Sequence, residues 1–358
     1  MDQFISHLPA AQRDSVYRKL KALIASKAPR AQAAVKKANL GLLACKDVAG
    51  TIHVNSALSN LSVQYRNEDF IGLDLMPLVT VGVPSADYFI YRKRDRLATP
   101  DDSVGGRSLP NEVSENRDKG NFSVKDYALR DFVSEKTLKS QDAPLNEMVD
   151  LIASVNDAIA FREEKRIAAV LTTAANYGGN TAALTGNDQW SAYTQTASDP
   201  IEDIENARDQ VWSGQGPSRL VAFCGLAVWN KLKHHPKLLA EFKHQGGMKA
   251  LTRQQVADYF ELDDLLVSKA WEDTMNEGQA AAYGRIWGKH FGIVRVATTP
   301  GIRTASFGYT FRHGEKKTTQ WYDAAPGVDG GYWGKVGLSE DHKIVAADCG
   351  YLLTDVIA

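Results

Sequence analysis

The sequence predicts a mixed α+β fold with more than one domain. Apolar residues alternate in the manner of a strand at Val79, Val81 and Val83, helical periodicity is sustained over 144–173, and strand and helix patterns alternate over 218–298. A chain of 358 residues is long enough to bury a sizeable core. At roughly 150 residues per domain, its length predicts about two domains.

The first predicted strands flank a long polar segment. Residues 73–91 have the apolar pattern of strands, and the pattern resumes at Phe122. Compact domains seldom contain a connection as long as 92–121, about 30 residues, unless it is functional or disordered. A hairpin of this length that cannot be buried within its own subunit is expected to pack on a neighbouring one.

Charged side chains in this loop are the candidate intersubunit contacts. They carry both signs, so they are suited to pairing between copies of the chain. Because exposed ion pairs contribute only about 0–1 kcal/mol each, solvated charge is the alternative interpretation. The candidates are Arg92, Lys93, Arg94, Arg96, Asp101, Asp102, Glu112 and Glu115.

The strongest predicted element is a helix over 144–173, with Asp142 as its cap and Pro144 in its first turn. About 30 residues would span about 45 Å, well beyond an average helix. The charged run 162–166 predicts a solvated interruption of the apolar face. The length indicates a spine that supports a large subunit.

The rest of the chain alternates between helices and strands. Asp199 and Pro200 predict the start of a second helix, and the break at 213–217 is a candidate domain boundary. Residues 218–298 indicate an α/β or α+β module. The tail, 300–358, is rich in β-branched residues, glycine and tryptophan, and predicts strands and turns.

The net charge of −1 is unevenly distributed along the chain. Residues 1–40 contain eight basic and two acidic residues, a charge of +6, which leaves −7 on the remaining 318 residues. The overall balance argues against a dedicated nucleic-acid-binding protein. The basic segment is either a solvated amphipathic helix or an interaction arm. Its basic residues are Arg13, Arg18, Lys19, Lys21, Lys27, Arg30, Lys36 and Lys37.

No secretory signal or spanning helix is predicted, so the chain is expected in a cytoplasm. Cys45, Cys224 and Cys349 are far apart and lack zinc-site spacing, which predicts buried free thiols.

No catalytic constellation can be assembled from the sequence. The HExxH, GxSxG and GxGxxG motifs are absent. The pair His234 and His235 is interpreted as structural or solvated, and Asp263 with Asp264 as a solvated turn. No cofactor and no metal are expected, and the prediction is that the chain is not an enzyme.

The order of these elements resembles the tailed-bacteriophage major capsid proteins of the Hong Kong 97-type fold, over most of residues 55–358. No single motif is diagnostic, but the order and spacing of several match. The matching segments are Tyr65-Arg66-Asn67, Phe70-Ile71, Met76-Pro77-Leu78-Val79, Tyr127 to Glu135, Arg162-Glu163, Trp190 with Ser198 to Ile204, Leu232 with His235-Pro236, and Phe307 to Phe311.

The resemblance implies pentamers and hexamers that tile an icosahedral shell around phage double-stranded DNA in the virion, with assembly in the bacterial host cytoplasm. Scaffold, portal and decoration proteins and non-specific contact with packaged DNA are the expected partners, and no membrane is involved. The implied segments are a basic N-terminal arm (1–50), the first part of the peripheral domain (51–91), the extended loop (92–121), the return strand, spine helix and more of the peripheral domain (122–215), the axial domain (216–299) and the C-terminal peripheral strands (300–358).

Two alternatives remain at this point. An encapsulin-like compartment would keep the fold and enclose cargo protein in place of a genome. A two-domain α/β enzyme would place a ligand site between 214–217 and the axial module, and would form a small discrete oligomer.

Overall fold

The computed structural model describes residues 70–91, 101–106, 109–112, 116–140, 146–213, 216–242, 250–275, 278–301 and 304–358. The whole basic segment 1–40 lies outside these ranges, as does Cys45. The same is true of five of the candidate loop residues, namely Arg92, Lys93, Arg94, Arg96 and Glu115.

The predicted mixture of helices and strands is confirmed in the described ranges. The α-helices are α1 (Gly72–Leu75), α2 (Glu135–Ser140), α3 (Glu147–Leu171), α4 (Pro200–Gln210), α5 (Leu226–Leu232), α6 (Pro236–Glu241) and α7 (Arg253–Tyr259). The strands are β1 (Leu78–Val81), β2 (Ser85–Tyr91), β3 (Arg117–Ser123), β4 (Lys125–Ser134), β5 (Thr181–Ala183), β6 (Ser218–Gly225), β7 (Asp264–Ser268), β8 (Trp271–Asp273), β9 (Tyr283–Arg285), β10 (Phe291–Ala297), β11 (Gly308–His313), β12 (Lys317–Asp323), β13 (Gly331–Ile344) and β14 (Gly350–Thr354).

Sheet I is built around β13, the longest described strand. Strand β13 pairs antiparallel with β4 over Gly331–Glu340, and also with β12 and β11. Strand β1 adds to β11 in parallel. The β-rich pattern predicted for the tail thus forms most of one sheet, which also takes in strands from early in the chain.

Sheet II has the order β5–β14–β10–β6–β7. Its inner strands are mostly apolar, as in Phe291–Ala297, because both of their faces are covered by other elements. Helices α4 to α7 contribute Ile204, Leu232 and Val256 to the core on one of these faces. The alternating pattern over 218–298 therefore corresponds to a sheet covered by helices.

Helix α3 connects the two sheets. Near its start, Leu151 and Val155 pack with Val336 of sheet I, and near its end Ile167 and Leu171 belong to the core beneath sheet II. Its 25 residues span about 38 Å. The helix predicted over 144–173 is confirmed, but its cap is Asn146, whose side chain accepts a hydrogen bond from the Val149 amide.

Three further sequence-based expectations are wrong in detail. Residues 73–75, predicted as the start of a strand region, belong to helix α1. The run 162–166 is not a solvated interruption, because Glu163 and Glu164 are buried. The predicted loop 92–121 is too long at its end, because β3 begins at Arg117. Local patterns correctly gave the Asp199 cap of α4 and the buried state of Cys224 and Cys349.

Candidate functional site

Strands β2 and β3 form a two-stranded antiparallel ribbon, with Ser85 opposite Ser123 at one end and Tyr91 opposite Arg117 at the other. Neither strand pairs with either of the larger sheets among the described strands. An isolated two-stranded ribbon is marginally stable in water. Contacts at its base, or with another molecule, are therefore needed to hold it.

Aromatic stacking fixes the base of the ribbon to sheet I. The ring centroid of Phe122 lies 4.5 Å from that of Phe311 on β11. The ring of Tyr88 also stacks on Phe311, with a distance of 5.7 Å between the two centroids. The Ser123 amide donates to Asp341 Oδ2 at 2.9 Å. Burial, with the nearby Asp341 carboxylate, raises the pKa of Tyr88 above its ordinary value. The base of the ribbon is therefore ordered within the subunit.

Gly120 allows Tyr88 to occupy this position. A Cβ atom on Gly120 would lie 2.5 Å from Cζ of Tyr88, which is far inside van der Waals contact. The two residues are directly opposite each other in the ribbon. Any side chain at position 120 would push the tyrosine ring away from Phe311.

The described loop residues beyond the ribbon are exposed. Asp101, Asp102 and Glu112 all face solvent, and the Asp101 carboxylate accepts a hydrogen bond from the Ser103 amide at 3.0 Å. Asp102 and Glu112 have no ion pair or hydrogen bond with any described residue. The structure thus places the acidic candidates on the surface without bringing them to basic partners within the described part of the chain.

A buried cluster of charges joins α3 to sheet I. Arg312 Nη2 lies 2.6 Å from Glu163 Oε1 and 3.1 Å from Glu340 Oε2. Arg166 Nη2 lies 2.5 Å from Glu340 Oε1, and His342 Nε2 lies 3.4 Å from the same oxygen. The Glu340 side chain is 0% exposed. These contacts cross-link a helix and two strands through charged groups that are largely shielded from bulk water.

The two carboxyl groups of this cluster respond oppositely to burial. Burial raises the pKa of Glu163 to about 7, and the nearby Glu340 carboxylate adds to the rise. Burial alone would also raise the pKa of Glu340, but hydrogen bonds from His342, Arg166 and Arg312 outweigh it and lower the pKa to about 2. The carboxyl group with more cationic donors therefore keeps its charge, and the other takes up a proton more readily.

A second carboxylate on α3 ties the start of the described chain to the core. Glu164 Oε1 accepts from the Ile71 amide at 3.0 Å and from Trp287 Nε1 at 2.8 Å, and Oε2 accepts from the Gly72 amide at 2.8 Å. Glu164 is 3% exposed. One side chain thus satisfies three buried donors, two from neighbouring amides and one from an indole that is distant from them in sequence.

The groups considered for chemistry in the sequence have structural surroundings. His235 is buried, its Nε2 lies 3.2 Å from Ser198 Oγ, and burial lowers its pKa to about 4. Asp263 Oδ2 accepts from the Leu220 amide, which orders the entry to β7. No cluster of metal-binding side chains occurs among the described residues. Within the same ranges, no helix combines the length and the apolar character needed to cross a bilayer.

Known proteins share both sequence and fold with this chain. The family described as phage major capsid protein E matches residues 168–281. The major capsid protein of Pseudomonas phage JBD67 is 25% identical over 310 residues, which cover 85% of this chain and 97% of that one. The major capsid protein of Burkholderia phage BcepMu is 26% identical over 318 residues, which cover 85% and 96%.

Solved structures agree with the sequence comparisons. A phage-related protein from Bordetella bronchiseptica RB50 superposes with a TM-score of 0.61 at 21% identity, covering 85% of this chain and 97% of that one. The capsid of cyanophage P-SCSP1u gives 0.55 at 11% identity, covering 84% and 92%. The resemblance to phage major capsid proteins is confirmed. With it, the predicted Hong Kong 97-type α+β fold and the structural, non-enzymatic role in a capsid are confirmed as well.

The buried cluster is the part of this chain's structure that the sequence pattern did not reveal. Glu163 and Arg166 lie on α3, whereas their partners Arg312 and Glu340 come 149 and 174 residues later, so no local spacing connects them. One signal was available: charged residues inside an otherwise apolar helical periodicity are costly to bury, and such groups are usually paired when they are buried.

Protonation of Glu163 predicts a pH-dependent stability. Because its folded pKa, about 7, exceeds the ordinary value of 4.5, its contribution to the free energy of unfolding is fully present below about pH 4.5 and is lost as the pH rises through 7. Each pKa unit corresponds to about 1.4 kcal/mol. We expect Glu163→Gln to lose less stability than the wild type between about pH 5 and pH 8, measured by urea unfolding of the soluble subunit. Parallel pH profiles for the two proteins would contradict this assignment.

Proposed function

We propose that this chain forms pentamers and hexamers that close into an icosahedral shell around phage double-stranded DNA, with the β2–β3 ribbon carrying loop 92–116 onto a neighbouring subunit. The main support for the proposal is that a chain with a capsid fold has this two-stranded ribbon. It is anchored at its base by Phe122 and Tyr88, while the described residues beyond it are exposed.

The proposed organisation keeps the segments expected from the sequence, with one adjustment at the end of the loop. Segment 1–50 is an arm, 51–91 begins the peripheral domain, and 216–299 is the axial domain. The loop extends over 92–116, since 117–123 is strand. The charged residues of the loop act between subunits. This assignment extends to Arg92, Lys93, Arg94, Arg96 and Glu115 on the basis of sequence alone, because they lie outside the described residues.

The basic arm is proposed to face the interior of the shell, where Arg13, Arg18 and the other basic residues of 1–40 would meet DNA or a scaffold protein. Its charge of +6 is the basis for this part of the proposal, and the arm lies outside the described residues. Cleavage of the arm by protease added to intact particles would count against it. Assembly in the host cytoplasm and contacts with portal and decoration proteins belong to the same proposal.

Removal of the loop tests the central claim. Replacing 92–116 by an Asn-Gly turn keeps both strands of the ribbon, because this dipeptide favours tight hairpins. We expect soluble subunits with a nearly unchanged melting temperature, but no closed shells in electron micrographs of cells that produce the other head proteins. A variant with a Gly/Ser loop of the original length separates the role of the side chains from that of the loop's length.

Shells of normal size from the Asn-Gly variant would contradict the intersubunit role of the loop. The contents of wild-type particles then distinguish a phage capsid from an encapsulin-like compartment. Nuclease-protected double-stranded DNA is the expected content, whereas particles that hold only cargo protein would favour the encapsulin-like alternative.

A further inference from the structure

Strands β8 and β9 form a hairpin that lies outside both large sheets. Trp271 is directly opposite Arg285 in this hairpin, and Asp273 is opposite Tyr283. Neither strand pairs with sheet I or sheet II among the described strands. Because an isolated two-stranded hairpin is marginally stable in water, the contacts of its two faces decide whether it is held in place.

One face of the hairpin is turned towards α3. Glu272 Oε2 lies 2.5 Å from Lys165 Nζ on that helix. At the base of the hairpin, the Ile286 amide donates to the Ala270 carbonyl at 3.4 Å. Trp287, two residues after β9, is buried in the core that also contains the end of α3. The hairpin is therefore rooted on the α3 side of sheet II.

The opposite face of the hairpin carries large exposed side chains. Side chains two apart in a strand share a face, as do those directly opposite across a pair, so Trp271 and Tyr283 lie on the face away from Glu272. Trp271 is 48% exposed, Tyr283 is 72% exposed, and Met275 beyond β8 is 44% exposed. Arg285 Cζ lies 3.5 Å from the Trp271 ring centroid. Tryptophan, tyrosine and arginine dominate the binding energy of protein interfaces, and methionine is enriched there, so this face has the composition of a docking surface.

The other side of sheet II is acidic where α4 covers it. Ile204 of α4 belongs to the core on that side, whereas Trp287 belongs to the core on the hairpin's side. Glu202 and Asp209 are exposed and lie two helical turns apart on the same side of α4. The Glu202 side chain has no ion pair or hydrogen bond with any described residue, and Trp212, just after α4, is 38% exposed. This surface offers carboxylates and an aromatic ring to a basic, aromatic partner.

We infer that the exposed face of the β8–β9 hairpin docks on the α4 side of sheet II in a second copy of the chain. Charge complementarity favours this pairing, because Lys269 and Arg285 at the hairpin are basic and α4 presents carboxylates. Burial of Trp271 and Tyr283 would supply the apolar part of the contact. The inference rests on the proposed function and names the contact that joins neighbouring subunits within one pentamer or hexamer.

The positions of the two surfaces require a second copy and favour a ring. The hairpin and α4 lie against opposite faces of the same sheet, so they cannot meet within one chain. A contact between two different surfaces of identical subunits is heterologous, and such contacts close into rings when the rotation between neighbours allows it. Each subunit would therefore bind the next one through its hairpin.

Crosslinking tests the contact and its symmetry together. In a Cys45→Ser background, Tyr283→Cys and Asp209→Cys are combined, and assembled particles are treated with a short bismaleimide. The native Cys224 and Cys349 are buried. We expect a ladder on denaturing gels that ends at five or six subunits, because crosslinks that follow a closed ring cannot extend beyond it. Neither single cysteine should give this ladder, and neither should the control pair Tyr283→Cys with Glu315→Cys, which places the second thiol in the exposed turn between β11 and β12.

Truncation of an exposed anchor provides a second measurement. We expect Tyr283→Ser to leave the melting temperature of the soluble subunit nearly unchanged, since the side chain is mostly exposed, but to reduce the yield of closed shells at least about tenfold. Val83→Ser is the control. It removes an apolar side chain that is 51% exposed, in the turn between β1 and β2, and should keep the wild-type yield.

The outcomes separate this inference from the proposed function. Closed shells that give no ladder from the 283–209 pair, or a ladder that stops at dimers, would overturn the hairpin contact and leave the shell as the function. The same holds if Tyr283→Ser assembles as well as its control. Exposed aromatic and arginine side chains also bind single-stranded nucleic acid. Protection of the hairpin from hydrogen exchange in DNA-filled particles but not in empty ones would therefore also overturn the contact between copies. Failure of the wild-type chain to form rings or shells would contradict the proposed function itself.

Discussion

Glu340→Ala is expected to lower the free energy of unfolding of the subunit by about 3–5 kcal/mol, because removing one partner of a buried ion pair leaves an uncompensated charge. Arg312 and Arg166 both bond to this carboxylate, at 3.1 and 2.5 Å. Without it, Arg166 has no other acidic partner among the described residues, and Arg312 keeps only Glu163. The connection between α3 and sheet I should weaken accordingly.

Urea unfolding of the soluble subunit measures this effect. Glu315→Ala, in the exposed turn between β11 and β12, removes a carboxylate from the same sheet and should change stability by less than about 0.5 kcal/mol. Glu340→Gln keeps the volume and loses the charge, so it should also destabilise the subunit clearly. If it matched the Glu315 control, the charge of Glu340 would not be the source of the stability.

Glu164→Ala is expected to have an effect of similar size, about 3–5 kcal/mol, since each buried donor left without a partner costs about 1–3 kcal/mol. The three donors are the amides of Ile71 and Gly72 and the indole N–H of Trp287. Burial raises the pKa of Glu164, while the two amide bonds and the indole bond oppose the rise. Because all three donors depend on the Glu164 carboxylate, the fold should tolerate its loss poorly.

Local hydrogen exchange distinguishes this mechanism from general destabilisation. In Glu164→Ala, the amides of Ile71 and Gly72 should lose protection more than those of β10, which lies in the middle of sheet II. Glu205→Ala, an exposed position on α4, serves as the helical control and should leave both regions unchanged. Equal loss of protection in the two regions would argue against a local anchor at α1.

Elements whose signal is local were predictable from the sequence. The apolar periodicity gave α3 to within three residues at each end, and Asp199 with Pro200 gave the start of α4, because capping and periodicity act over one or two helical turns. The ribbon was predictable because a polar loop lies between two local strand patterns. The resemblance that rests on the order of these elements gave the capsid fold.

The expectations that proved wrong depended on contacts between distant segments. The run 162–166 has the composition of a solvated helix face, yet Glu163 and Glu164 are buried because Arg312, Trp287 and the start of α1 supply their partners. The end of the loop was misplaced because Arg117 to Asn121 are polar. These residues form a strand by pairing with β2, and no apolar face of their own marks them as one.

The sequence by itself determined the elements, their order and the charge separation between a basic N-terminal segment and an acidic remainder, since propensity, capping and composition act within a short stretch of chain. Only the tertiary structure decided which charges are buried and how the ribbon is anchored. Those properties arise where α3, β11 and β13 meet, and a hydrogen bond or ion pair between distant segments requires the folded backbone to bring its two atoms within about 3 Å.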